Sequence, residues 1–169
     1  MINRFGSEAK VMELSGRDEN AHPLAERPLS VSAVFEESEG IAAARGLARS
    51  LLSDAQRTHG LSVSGRAMGA VQLVVSELVT NARKYAPGPC LLTLEIINEV
   101  VEVTVWDSEP RLPVAQEADP ARVGQHGLEI VMALCRSFEM HREPVGKRIK
   151  AAVALADDSV GDVADRQAL

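Results

Sequence analysis

The apolar positions of this 169-residue chain fall into two alternating periods. Leu29–Phe35 alternates and is rich in β-formers, so it predicts a strand. From Gly40 to His59, Ile41, Ala44, Leu47, Ala48, Leu51 and Leu52 recur at helical spacing. Ser38 and Glu39 stand where an N-cap and a first-turn acid belong, and Gly60 ends the run. Ser64–Tyr85 predicts a longer helix, stopped by Pro87-Gly88-Pro89. Leu91–Ile97 and Val100–Asp107 predict two strands with a hairpin turn at Asn98-Glu99. Ser108–Gln125 holds three prolines and no period. It predicts a long loop, and loops of that length inside compact domains are usually functional. Gly127–Arg136 predicts a third helix. Phe138–Arg142 and Arg148–Leu155 predict two closing strands around a turn at Pro144–Gly146.

Helices bunched between hairpins indicate an α+β fold: a two-layer α/β sandwich with a mixed, mostly antiparallel sheet and helices on one face. A parallel doubly wound sheet would alternate strand and helix more regularly. The pattern assigns one domain to residues 29–155. Residues 1–28 mix charges with Gly and Pro and read as a flexible N-terminal extension, with a short helix possible around Ala9–Leu14. Residues 156–169 read as an acidic C-terminal tail.

Composition narrows the classes. Hydrophobic residues are 46% and charged residues 25%, ordinary for a globular domain, while aromatics are 3%, so Leu, Val, Ile and Ala must fill the core. The net charge is −6 and there is no long basic run, so direct nucleic-acid binding is not expected. Cys90 and Cys135 are far apart and form no C-x-x-C pair, which argues for two reduced thiols rather than a zinc site. No apolar run approaches the length of a membrane span, and the first twenty residues lack a secretory apolar core. The expected location is the cytoplasm.

Three segments carry candidate chemistry. On the second helix, Met68, Val71, Val75, Leu78 and Ala82 form the apolar stripe, and Gln72, Ser76, Thr80 and Arg83 a polar side. Glu77 and Asn81 sit on the flank between them, four residues apart, so their side chains are neighbours. Asn81 offers a neutral oxygen suited to Mg²⁺, and Glu77 can orient and deprotonate a hydroxyl. The plainer reading is an ordinary pair at a half-exposed boundary. Along Val101–Asp107, period two puts Asp107 on the face of Val101, Val103 and Val105. An acid there is costly unless it finds donors, and the exocyclic amine of adenine is one candidate. Otherwise the strand has ended and Asp107 opens a turn. Gly124-Gln125-His126-Gly127-Leu128 precedes or opens a helix, where free N–H groups favour phosphate. Without a ligand it is only a glycine-rich helix entry, with His126 a capping or surface residue.

In this order the three segments resemble the motifs of GHKL (Bergerat-fold) ATPases, and within them most closely the bacterial anti-sigma-factor serine kinases and their actinobacterial relatives. Ser76–Ala86, SELVTNARKYA, is similar to the N box. Val103–Pro113, VTVWDSEPRLP, is similar to the G1 segment, and Gly124–Val131, GQHGLEIV, to the G2 segment. The resemblance spans about residues 29–155. It implies that Glu77 is the general base, Asn81 the Mg²⁺ ligand and Asp107 the acid that reads adenine. ATP would then lie among Asn81, Asp107 and Gly124–Leu128, with His126 inside that segment. Gly124 and Gly127 would form the base of a lid made by Ser108–Gln125. It further implies a homodimer that holds a sigma factor and phosphorylates a serine on an anti-sigma-factor antagonist.

The chain departs from the family pattern in places. Asp107 is followed by Ser108-Glu109-Pro110 rather than the usual Asp-x-Gly-x-Gly. Tyr85 stands where His is frequent. Lys147 and Arg148 follow Gly146, where many members carry a hydroxyl residue. A module that binds a sigma factor or antagonist without transferring phosphate is the alternative reading. The catalytic domain of a sensor histidine kinase would need an upstream dimerising hairpin, for which residues 1–28 are too short. Gyrase-like or mismatch-repair ATPases would need a transducer domain.

Overall fold

The computed structural model describes residues 11–12, 29–36, 40–86, 88–109 and 127–157. Its elements are β1 (Val11–Met12), β2 (Leu29–Phe35), α1 (Ile41–His59), α2 (Gly65–Tyr85), β3 (Cys90–Ile97), β4 (Val100–Asp107), α3 (Gly127–Leu134), β5 (Ser137–Arg142) and β6 (Lys147–Ala154). The strands form one six-stranded sheet in the order β1-β2-β3-β4-β6-β5, with every neighbouring pair antiparallel. The fold is α+β, as the order of periods predicts.

Period-two alternation fixes which sheet face is covered. Cys90, Leu92, Leu94 and Ile96 of β3 are buried, as are Val101, Val103 and Val105 of β4 and Ile149, Ala151 and Val153 of β6. Register puts these residues side by side on one face, which the three helices cover. The opposite face carries polar pairs instead. Ser32 and Thr93 share a hydroxyl hydrogen bond of 2.9 Å, and Lys150 lies 3.0 Å from Glu102.

α2 spans the middle of the sheet. Its buried side is wider than the predicted stripe: Ala67, Ala70, Val71, Val74, Val75, Leu78, Val79 and Ala82. It is wide because α2 packs against the sheet, α1 and α3 together. α1 meets the core through Ala44, Ala48, Leu52 and Ala55. Three of those four are alanines, and small side chains let the helix axis come close to its neighbours. Among the described residues Phe35 is buried in this core and Phe138 packs against it, in keeping with the low aromatic content.

Local chemistry sets the ends. Gly60 adopts φ 64° and its N–H closes on the Ala55 carbonyl, ending α1. The turn residues Asn98 and Glu99 both have positive φ, 49° and 62°, the geometry of a tight two-residue hairpin between β3 and β4.

Four expectations need correction. Val11–Met12 is not helical; it is a strand paired with Ala33 and Ser32, because an edge of the sheet offers it backbone partners. α1 takes Gly40 as its N-cap, in extended backbone and with no side-chain cap bond, while Ser38 and Glu39 lie outside the described residues. α3 stops at Leu134, and Arg136 instead donates its N–H to the Ala152 carbonyl. β6 begins at Lys147, one residue earlier than predicted. Among the described residues no helix is long and apolar enough to cross a membrane.

α2 starts on a side-chain cap: the Ser64 hydroxyl accepts from the Ala67 N–H at 3.0 Å. Ser64→Ala is expected to lower stability by about 1 kcal/mol, read as a drop in denaturant midpoint. Ser62→Ala, at an exposed position just before it, leaves the midpoint unchanged.

Candidate functional site

Glu77 and Asn81 lie one turn apart on α2, both half-buried on its flank. That flank faces the first residue of α3. A Cβ built on Gly127 would run into the Glu77 carboxylate oxygen Oε2 and lie 3.2 Å from its Cδ. The glycine is therefore what lets the helix start against the carboxylate. The first N–H groups of α3 have no intrahelical acceptor, and the positive end of the helix favours an anion beside it. No hydrogen bond or ion pair ties down Glu77 among the described residues.

The Asn81 amide nitrogen Nδ2 is buried and has no hydrogen-bond partner among the described residues. A buried donor left unmet costs about 1–3 kcal/mol. An acceptor from a ligand would remove that cost, and a χ2 flip would offer an amide oxygen to a cation from the same place. Among the described residues no cluster of three His, Cys, Asp or Glu could hold a metal by itself. The donor set here, one amide beside one carboxylate, suits a cation that keeps water and ligand oxygens, as Mg²⁺ does.

Asp107 ends β4 on the covered face, in phase with the valines, and is 6% exposed. Its donors come from the protein. Lys147 stands directly opposite in the β4–β6 register and is 2% exposed. Its ammonium donates to Asp107 Oδ1 at 3.0 Å and to the Glu109 carbonyl at 3.3 Å. It also lies 2.9 Å from Oδ2, an ion-pair contact that leaves that oxygen without a hydrogen bond among the described residues. The Glu109 N–H donates to Oδ1 at 2.9 Å, so Asp107 both closes the strand and opens the next turn. Asp107 thus lies on the covered face, where period two puts it, and opens the turn as well, with Lys147 and the Glu109 N–H as its donors.

The turn before β6 holds the pair in place. Gly146 has φ 82°, and a Cβ there would collide with the Asp107 carbonyl oxygen and lie 2.8 Å from Ser108 Cα. On the far face of the sheet, Arg148 lies over the Trp106 ring at 5.8 Å and pairs with Glu143 at 3.2 Å.

The structure thus brings Glu77 against Gly127, with Asn81 one turn further along the same flank of α2. Leu128 is half-buried and packs on the hydrophobic core. Gly124 and His126, and most of the expected loop Ser108–Gln125, lie outside the described residues. Sequence reasoning noted Lys147 only as a departure and missed its pairing. Period two through Ile149, Ala151 and Val153 carries the signal, since it puts Lys147 on their face.

Both cysteines are free of disulfides. Burial pushes the Cys135 thiol up to about 11.

Residues 28–153 match the family described as histidine kinase-like ATPase domain. Two solved structures are similar. The histidine kinase domain from the Erythrobacter litoralis EL346 blue-light activated histidine kinase is 18% identical, with a TM-score of 0.43, over 66% of this chain and 61% of that one. Acinetobacter baumannii histidine kinase AdeS is 11% identical, with a TM-score of 0.43, over 75% of this chain and 68% of that one. Comparison with curated proteins gives no match.

Two outcomes follow from this geometry. Gly146→Ala is expected to cost about 2 kcal/mol or more, since both the positive φ and a backbone contact oppose the methyl; chemical denaturation measures it. For Cys135, a raised pKa leaves about one thiol in a thousand ionised at pH 8. Alkylation of the native protein at Cys135, followed by mass spectrometry, is expected to stay slow until the pH approaches the shifted value.

Proposed function

The chain belongs to the histidine kinase-like ATPase domain family, and from that premise we propose that it is an ATP-binding regulatory protein. In the finer reading it is an anti-sigma factor with serine/threonine kinase activity toward an anti-sigma-factor antagonist, working as a homodimer in the cytoplasm. The observation that supports this best is the placing together of three features: a Glu77 carboxylate and an Asn81 amide nitrogen that have no hydrogen-bond partner among the described residues, and the start of α3 at Gly127.

Each residue has a role in this reading. Asn81 holds Mg²⁺, which when bound offsets charge on the phosphate oxygens. The free N–H groups at the start of α3 receive phosphate oxygens, and Gly124, His126 and Leu128 belong to the same segment. Glu77 accepts the proton of a serine hydroxyl on the partner as that oxygen attacks the γ-phosphorus and ADP departs. The transfer depends on positioning and charge neutralisation, and the base adds its share by aligning the hydroxyl.

The pairing of Asp107 with Lys147 and the absence of glycine after Asp107 favour the second reading, a module that regulates transcription by holding a sigma factor or antagonist. Calorimetry separates the two. Mg-ATP producing neither heat nor a thermal shift would leave only the binding module.

If phosphate is transferred, Glu77→Ala is expected to slow labelling of the antagonist on the order of 10²-fold or more, with ATP affinity kept. Asn81→Ala is expected to weaken Mg-ATP binding about tenfold. Labelling at the wild-type rate in Glu77→Ala would remove Glu77 from the mechanism.

A further inference from the structure

A ligand that reads adenine through Asp107 would have to bring its amine to a carboxylate that already has company. Oδ1 accepts from both the Lys147 ammonium and the Glu109 N–H. Oδ2 is buried against the same ammonium. The side chains of both partners are 1% exposed. The ammonium makes two hydrogen bonds, to Oδ1 and to the Glu109 carbonyl, and an ion-pair contact with Oδ2 at 2.9 Å, so it too is well compensated. The pair carries no net charge with which to attract an amine, and displacing the lysine would strand its charge in the interior.

We propose that Lys147 is an internal occupant of the base end of the site, standing in for a ligand's exocyclic amine, so that the protein takes a purine nucleoside triphosphate without reading that amine. This rests on the nucleotide reading above and adds a specificity to it. Affinity then comes from the Glu77, Asn81 and Gly127 end, through phosphate and metal, while Lys147 makes the base end indifferent to the exocyclic amine. The backbone supports a fixed occupant. Lys147 follows Gly146, whose contact with Asp107 and Ser108 leaves the start of β6 little room to shift.

The test compares Mg-ATP with the Mg complex of purine riboside triphosphate, which lacks only the exocyclic amine. Titration calorimetry on the wild-type chain is expected to give dissociation constants within about threefold of each other, because no charge-assisted hydrogen bond distinguishes them. Lys147→Thr frees the Asp107 carboxylate, and ATP is then expected to bind about tenfold or more tighter than the analogue. That variant buries an unpaired acid and risks its fold. Lys147→Gln, which keeps a neutral donor beside Asp107, gives the same comparison with a smaller preference, its fold checked by circular dichroism.

A wild-type preference for ATP of about tenfold or more, lost in Asp107→Asn, would overturn the inference while leaving nucleotide binding intact. Folded Lys147 variants that bind both nucleotides equally would overturn it as well. If neither the wild type nor any folded variant binds either nucleotide, the nucleotide reading fails and this inference goes with it. Should both variants misfold, the wild-type comparison decides the matter alone.

Discussion

A carboxylate on the covered face of a sheet cannot remain there without donors. In this protein the requirement is met by an ammonium on the neighbouring strand, held opposite Asp107 by the β4–β6 register. Much of the surrounding backbone is arranged around that contact. Glu109 contributes its N–H to the acid and its carbonyl to the base. Gly146 supplies the close approach that lets β6 begin where Lys147 is needed. Removing one member of such a pair is far more damaging than never having had it, because the survivor stays charged in the interior.

α2 links this sheet to the rest of the site. Its buried face anchors the core through Val71, Val75 and Leu78, and the same helix carries Glu77 and Asn81 outward on its flank. The two side chains therefore inherit their placement from the hydrophobic packing of α2. A site built on a well-packed helix is held more firmly than one built on a loop. α3 completes it by beginning with a residue that has no side chain, so that helix and carboxylate can touch.

Much of this was legible in the sequence because it is local. Helical spacing located α1 and α2, alternation located β2 to β6, and the phase of Val101, Val103 and Val105 placed Asp107 on the covered face. What escaped depends on contacts distant in the chain. Val11–Met12 forms a strand only because β2 lies beside it, and two residues carry no period to reveal that. The contact of Gly127 with Glu77 follows from how α3 crosses α2, which spacing does not encode. Lys147 is different: alternation did encode it. Starting the last strand one residue late hid the lysine, and a lysine is ordinarily read as solvent-facing.

The same register has an optical consequence. Trp106 is the protein's one tryptophan, 44% exposed on the uncovered face of the sheet. It pairs with Arg148 as its chain neighbour Asp107 pairs with Lys147, one couple on each side of the same two strands. A movement of β6 that parted the buried couple would also draw the guanidinium away from the indole. The molecule thus carries a fluorophore wired to a secluded ion pair, readable without any label.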